Sequence, residues 1–421
     1  MYELLLRVFK NLEDADIRYC LMRPHEELGR LADGGDVDLL VEKSQLAQLR
    51  GRLSQLGFVN LSSRGYAPHH FFVTYDEGTD LWLKLDVVTE VAYGRPIHSL
   101  RTALAANCLN NRRRCGPTFI PSPEDELVTL LLHCILDKGD FAPARRRRLK
   151  VLQQEVTDER YLSTLLATYW PPVMSWPVLA AMIDTENWEA LLAARSAIAA
   201  HLAGSDRLRV LGREVYDRLL RKLNRWAGIW QPRAPTVALL APDGAGKSTL
   251  AAGIQDSFYL PVRSVYMGLY QDGAARRPRS PIPGLGLAGR LLTQWWRYFT
   301  ARYHQARGRL VVFDRYTYDA LLAPRQPVDW LRRLRRWLLA HTCPAPDLVL
   351  VLDAPGEVLY ARKGEHSAAV LEQQRRRFLE LQPRLSQMVV VDATHDAEHV
   401  RRRVTSLIWH GYAGCLGEIS G

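Results

Sequence analysis

The sequence predicts an α/β chain of three parts. The C-terminal half is a five-stranded parallel sheet covered on both faces. An α+β domain and then a helical region precede it. Three observations carry this. Five short apolar runs after residue 235 alternate with segments of helical periodicity, the pattern of parallel strands buried on both sides. The first of these runs is followed by a glycine-rich turn and a helix start. Before residue 230, strand-like runs give way to a long stretch of helical periodicity.

The strand candidates of the front part are Ile17 to Met22, Val37 to Val41, Phe71 to Tyr75 and Leu81 to Val88, within a domain of residues 1–120. Residues 121–229 are expected to be helical. Ser122-Pro123-Glu124-Asp125-Glu126 is a helix start, with a capping Ser, Pro in the first turn and acids near the positive end of the helix dipole. Leu127, Leu130, Leu131 and Cys134 continue it as an apolar face. Trp230 to Pro235 carries two prolines and is expected to be a linker. The last domain, 236–412, has strand candidates Thr236–Leu240, Val262–Met267, Leu310–Phe313, Leu348–Leu352 and Met388–Val391.

Ala241-Pro242-Asp243-Gly244-Ala245-Gly246-Lys247-Ser248-Thr249 lies between the first of these strands and a helix. This is a phosphate-binding loop in the right place. The strand, the turn and the helix N-terminus aim backbone N–H groups and a helix dipole at one point. Gly244, Ala245 and Gly246 supply the cradle. Lys247 brings a charge to the β/γ-phosphates, and Ser248 offers a hydroxyl to Mg²⁺. Ala241 stands where the usual pattern has Gly.

Three further features point to phosphoryl transfer. Asp314-Arg315-Tyr316 follows a strand, where the acid can hold Mg²⁺ through water and the Arg can clamp a phosphate of the second substrate. Asp243, inside the loop, either meets Mg²⁺, orients the attacking hydroxyl, or serves as a turn former. Tyr360-Ala361-Arg362-Lys363-Gly364-Glu365 reads as a basic lid closing on the phosphates, or as a solvated helix end.

Residues 236–410 resemble the thymidylate kinase family. The likeness rests on the loop, on Asp314-Arg315-Tyr316, on Pro346-Asp347-Leu348-Val349-Leu350-Val351-Leu352-Asp353 and on the basic segment. It implies a five-stranded parallel sheet with ATP and Mg²⁺ as cofactors. It also implies that Lys247, Ser248 and Thr249 bind ATP phosphates, Arg315 the acceptor's phosphate, and Arg362 the transferred group. The family's acceptor-holding segment after the second strand is replaced by Tyr266-Met267-Gly268-Leu269-Tyr270 and a loop with Arg276, Arg277 and Arg279. The resemblance implies kept kinase chemistry, while this departure tells against thymidylate as the acceptor. This divergent type is similar to the thymidylate-kinase-like proteins of surface-polysaccharide gene clusters, which implies a sugar or glycan acceptor.

In the front part, Gly34-Gly35-Asp36-Val37-Asp38 places two carboxylates on one side of a strand. Asp86 lies on a later strand. Three carboxylates meeting from adjacent strands can hold two metal ions for nucleotidyl transfer. With the glycines and the later acid, residues 1–120 resemble the polymerase-β-type nucleotidyltransferase superfamily. The helical stretch with His133 is similar to partner helices of its uncharacterised members. The superfamily's Gly-Ser pair is missing; Leu21-Met22-Arg23-Pro24 stands there, so either Arg23 substitutes for it or the triphosphate site is lost. A degenerate domain used only for binding is the alternative. His69 and His70 can belong to this site, although adjacent His residues usually point opposite ways.

The chain has 421 residues and a net charge of +11. Residues 236–421 hold 25 Lys+Arg against 16 Asp+Glu, so the surplus belongs to the phosphate-loop half. An anionic substrate, nucleic acid or an anionic membrane surface would each account for it. No aromatic-basic nucleic-acid motif is found. The run Val328 to Ala340, with Trp330, Leu331, Leu334, Trp337 and Leu338 among Arg332, Arg333, Arg335 and Arg336, can lie on a membrane. The favoured reading is a core-packed helix with a solvated basic face. Arg145 to Arg148 is read as a solvated face. Six cysteines show no C-x-x-C pair and no zinc spacing, so reduced, mostly buried thiols are expected. Neither a signal-peptide core in the first twelve residues nor an apolar run of membrane-spanning length is present, which gives a cytoplasmic expectation.

The resulting expectation is a P-loop kinase, a phosphotransferase that is bifunctional if the nucleotidyltransferase-like module is active. Its partners would be a nucleotide and a small-molecule or glycan acceptor, with peripheral membrane contact and oligomerisation left open. The competing readings are a thymidylate kinase, a nucleotidyltransferase acting on tRNA, and a nucleotide-sensing scaffold.

Overall fold

The computed structural model describes residues 2–23, 35–61, 66, 68–94, 97–204, 207–227, 234–269, 285–322, 329–364 and 366–419. The chain divides into two compact units, Met1–Asn224 and Arg225–Gly421.

The first unit opens with α1 (Tyr2–Asp14), β1 (Tyr19–Leu21), β2 (Gly35–Val41), α2 (Leu46–Gln55), β3 (Val59–Leu61), β4 (His69–Asp76) and β5 (Leu81–Val88). Their sheet has the order β1-β2-β5-β4-β3. β2 and β5 are parallel, and the other neighbours are antiparallel. Alternation along β2 turns Val37, Leu39 and Val41 into a core with Leu5, Phe9, Leu12, Leu49 and Leu53 of α1 and α2. Asp36 and Asp38 therefore share the opposite face. Two short hairpins, β6 (Ala92–Tyr93) with β7 (Leu100–Arg101), and β8 (Arg113–Cys115) with β9 (Thr118–Ile120), flank α3 (Leu104–Asn110).

The helical part is α4 (Pro123–Leu132), a π-helical turn (His133–Lys138), α5 (Pro143–Glu155), α6 (Glu159–Tyr169), α7 (Trp176–Asp184), α8 (Trp188–Ala193), α9 (Arg195–Ala203) and α10 (Arg207–Ala227). Ser122 caps α4 by accepting the Asp125 N–H at 3.2 Å. The expected seam at residue 120 lies inside one apolar cluster, which joins Cys20 and Leu40 of the sheet to Leu127, Leu131 and Leu149. Arg145 to Arg148 is not wholly a solvated face. Arg148 is buried and pairs bidentately with buried Glu126 at 2.7 and 2.6 Å, because a guanidinium carried into a core must meet a carboxylate there.

The second unit runs β10 (Thr236–Leu240), α11 (Lys247–Ser257), β11 (Val262–Tyr266), α12 (Leu285–Ala306), β12 (Leu310–Asp314), α13 (Trp330–Ala340), β13 (Leu348–Asp353), α14 (Gly356–Lys363), α15 (Ala368–Leu379), β14 (Met388–Asp392) and α16 (Ala397–Ile419). The five strands form an all-parallel sheet in the order β11-β12-β10-β13-β14, as the apolar runs predict. β10 is central and fully buried. One face of the sheet builds a core from Ala238, Leu240, Phe313, Val349 and Val351. Asp347 ties β10 to β13 at their starts, its Oδ2 accepting the Thr236 N–H and hydroxyl, both at 2.7 Å.

The run at 328–340 departs from its favoured reading. The helix is Trp330–Ala340, with Asp329 as its cap at 2.8 Å to the Arg332 N–H; Val328 lies outside the described residues. Trp330, Leu331, Leu334, Trp337 and Leu338 face solvent and are not packed in the core. The inner face of α13 is narrow, held by Leu339, Ala340 and a hydrogen bond from Arg336 Nη2 to the Leu322 carbonyl. Cys20, Cys108, Cys134 and Cys343 are buried free thiols, and Cys115 is an exposed one.

Candidate phosphate-binding site

The loop between β10 and α11 has the conformation its glycines allow. Gly244 and Gly246 both have φ of +85°, a region costly for residues with a Cβ. Gly244 also has no room for one, since a Cβ there would lie 2.8 Å from the Leu359 carbonyl oxygen of α14. Gly246 is the N-cap of α11, so the first turn, with Lys247, Ser248 and Thr249, starts at the loop. Ser248 and Thr249 are exposed at that end.

Lys247 folds back over the loop. Its Nζ donates to the carbonyls of Ala241 and Pro242 at 2.8 and 3.0 Å. Burial pushes the ammonium below its ordinary range. The Asp243, Asp314 and Asp319 carboxylates oppose that shift and Arg315 adds to it. A half-buried cation bonded to loop carbonyls can exchange them for phosphate oxygens with little movement.

Asp314 ends β12 and pairs in register with Leu239 of β10 and Tyr266 of β11, at the carboxyl edge where the loop emerges. Arg315 follows with φ of +62°, rare for a residue with a side chain. Its N–H is fixed to the Leu239 carbonyl at 3.2 Å. Its Nη2 lies 3.5 Å from Asp243 Oδ1. The chain thus brings Asp243, Lys247, Asp314 and Arg315 to one sheet edge. The exposed Ser248 hydroxyl at the helix start and the Asp314 carboxylate at the end of β12 are oxygen donors of the kind Mg²⁺ takes.

The expected lid differs in form. Arg362 and Lys363 are the last turn of α14, which Gly364 terminates with φ of +68°. The helix forms because Val358, Leu359, Tyr360 and Ala361 carry no breaker before that glycine. Arg362 turns away from the loop and donates to the carbonyls of Ala393, Thr394 and His395 at 2.8, 3.3 and 3.4 Å. Lys363 stays beside it, with its Cβ 3.5 Å from where a Gly244 Cβ would be. Arg276, Arg277, Arg279 and Glu365 lie outside the described residues, as does most of the expected linker.

Three residues of this edge escaped the sequence reading. Arg297 of α12 donates to the Gly268 carbonyl at 3.1 Å and lies 5.1 Å over the Tyr266 ring. Gly268 leaves room for both neighbours: a Cβ would meet Tyr266 Oη at 2.4 Å and Arg315 Cδ at 3.1 Å. Arg375 pairs with Asp353 at 2.6 and 2.9 Å at the end of β13, which raises its already high pKa. Nothing local marks these residues. Only the Gly after Tyr266-Met267 was a signal, as a close approach of chain segments.

In the first unit, Asp38 and Asp86 are register partners across β2 and β5, as adjacent-strand acids should be. Each acid carries a basic partner. Asp36 pairs with Lys84 at 2.6 Å, Asp38 with Arg23, and Asp86 with His69 Nδ1 at 2.8 Å. Among the described residues, no group of three His, Cys, Asp or Glu side chains is close enough to hold a metal ion. Each carboxylate of the expected metal site thus has a basic side chain beside it. Asp36 is drawn outward to Lys84, and a guanidinium occupies the position beside Asp38. Of the two histidines, His69 joins the site and His70 lies 3.4 Å from Arg50. Arg23 also donates to His133 Nε2 at 2.9 Å, and His133 Nδ1 pairs with Asp137 Oδ2 at 3.0 Å. That network fixes a neutral imidazole with its proton on Nδ1.

No known protein family's sequence profile and no curated protein matches the chain. Among solved structures, it is similar to thymidylate kinase from Candida albicans, at 17% identity and TM-score 0.30, covering 42% of this chain and 91% of that one. It is also similar to deoxyadenosine kinase from M. mycoides with bound dATP, at 15% identity and TM-score 0.29, covering 41% and 98%.

Proposed function

We propose that the second unit is a kinase transferring the γ-phosphoryl group of ATP to a non-thymidylate acceptor, a sugar or glycan intermediate of polysaccharide synthesis in the cytoplasm. The observation that supports it is the convergence of Asp243, Lys247, Asp314 and Arg315 on one sheet edge around a loop with φ-positive glycines. In this reading the loop N–H groups and Lys247 hold the β- and γ-phosphates, with Gly244, Ala245, Gly246, Ser248 and Thr249 around them. Mg²⁺, held by Ser248 and through water by Asp314, would neutralise charge gathering on the leaving ADP. Asp243 orients the acceptor hydroxyl and takes its proton, the hydroxyl oxygen forms the new bond to phosphorus, and the β–γ bridging oxygen leaves on ADP. Arg315 is released from Asp243 to clamp the acceptor. Lys363, beside the loop, stabilises the transferring group. Arg362 acts through the Ala393–His395 segment. The first unit is proposed as a binding module, because its acids already pair with Lys84, Arg23 and His69.

A second reading, a nucleoside monophosphate kinase, draws on one observation. The Arg297 guanidinium over Tyr266 makes a flat cationic surface beside Arg315, suited to a base. The test is ATP consumption by the full chain against sugars, sugar phosphates and nucleoside monophosphates. Turnover of a sugar-class acceptor with no response to dTMP supports the first reading. Rapid phosphorylation of dTMP replaces it with the second.

A further inference from the structure

We propose that α13, with the aromatic stripe of α12, docks the protein onto an anionic lipid surface. On α13, Trp330, Leu331, Leu334, Trp337 and Leu338 recur at i, i+1, i+4, i+7 and i+8, one continuous helical face. An amphipathic helix on a globular domain ordinarily buries that face. Here it points outward: Trp330 is 68% exposed, Leu331 57%, Leu334 46% and Trp337 56%. The opposite side is what holds the helix to the protein, through Leu339, Ala340 and the bond from Arg336 to the Leu322 carbonyl. On α12, Leu292, Trp296, Phe299 and Tyr303 form a second exposed stripe, with Trp296 at 75%. The two helices meet in one small apolar cluster, where Leu339 and Ala340 of α13 pack with Leu287 and Leu291 of α12.

Charge selects the occupant. α13 carries Arg332, Arg333, Arg335 and Arg336 and no acid within its span. α12 carries Arg290, Arg297 and Arg302, and no Asp or Glu occurs anywhere between Asp272 and Asp314. A second copy of this chain would set two purely basic faces against each other, which like-charge repulsion disfavours. An anionic bilayer complements the arginines, admits Leu and Trp side chains at its interface, and favours indole rings at the headgroup level. No helix of the described residues is long and apolar enough to cross a membrane, so the mode is lying on the surface. The docking face is tied to the acceptor edge, because the Thr317 hydroxyl donates to the Ala340 carbonyl at 3.0 Å, two residues from Arg315.

The test is flotation of the full chain with phosphatidylcholine vesicles, with and without phosphatidylglycerol. The wild type is expected to float with the anionic vesicles and to be released by salt. Leu334→Asp, and separately Arg333→Glu with Arg335→Glu, should each lower partition about tenfold or more. Both should leave ATP binding unchanged, which shows that they fold. The proposal is overturned by equal flotation with neutral vesicles, by no flotation, or by flotation that survives Leu334→Asp. It is also overturned if the chain ignores vesicles while the same variants abolish self-association in sedimentation or binding to single-stranded DNA.

Discussion

Arg315 Nη2 lies 3.5 Å from Asp243 Oδ1 across the carboxyl edge of the sheet. The contact joins the phosphate loop to the residue expected to take the acceptor. The two side chains are partly exposed, so the pair itself adds little stability. Its consequence is for catalysis. Asp243→Ala should lower kcat about 100-fold while ATP affinity changes only a few-fold, since the loop N–H groups and Lys247 remain. Isothermal titration with ATP beside steady-state transfer rates separates the two effects. A parallel loss of ATP binding would assign Asp243 to the loop's fold and not to chemistry.

Gly268 sets where Arg315 stands. A methyl group there would lie 3.1 Å from Arg315 Cδ and 2.4 Å from Tyr266 Oη. Both neighbours are side-chain and not backbone atoms, so they can shift and the fold should survive. Gly268→Ala is expected to raise the acceptor KM about tenfold and leave the ATP KM unchanged, because a small misplacement of a clamp is costly. Initial rates with each substrate varied in turn decide it.

Arg362 and Lys363 are sequence neighbours with different surroundings. Lys363→Ala should reduce kcat about 100-fold, the cost of one stabilising donor to the transition state. Arg362→Ala frees three carbonyls at Ala393, Thr394 and His395. It should instead destabilise the second unit by about 1 kcal/mol, since water reaches the exposed Thr394 and His395 carbonyls. Thermal unfolding of both variants beside their turnover tests the split. An Arg362 variant of normal stability and lost turnover would restore the lid role that the sequence suggested.

Gly356 crosses α15 closely. A Cβ would sit 2.3 Å from the Ala368 carbonyl oxygen and 2.8 Å from the Glu372 backbone nitrogen, neither of which can swing aside. Gly356→Ala should cost about 1–3 kcal/mol or prevent folding, as overpacking does. Denaturant midpoints measure it.

His133 should make the first unit acid-sensitive. Burial pushes its imidazole down to about 4 from an ordinary 6.5; Asp137 opposes the shift, and Arg23 and Lys138 add to it. Between those values the unfolded chain takes up a proton that the folded one does not. Stability is therefore full above about pH 6.5 and falls as pH drops toward 4. The whole effect is about 3 kcal/mol. His133→Gln should flatten the slope in that window. Urea midpoints at several pH values show whether it does.

The sequence alone specified the parallel sheet, because buried strands need continuous apolar runs and each run was bounded by turn residues. It also specified the loop at 241–249, whose backbone path needs glycine at Gly244 and Gly246, and the Ser122 cap, which is local chemistry. Tertiary structure decided what depends on neighbours distant in the chain. α13 reads as an ordinary amphipathic helix, and only the packing of Leu339, Ala340 and Arg336 shows that its apolar stripe faces out. Arg148 reads as surface, and Glu126 from another helix makes it core. Asp36, Asp38 and Asp86 read as metal ligands, and Lys84, Arg23 and His69 claim them first. Periodicity fixes which residues share a face; which partner that face meets is set by the rest of the chain.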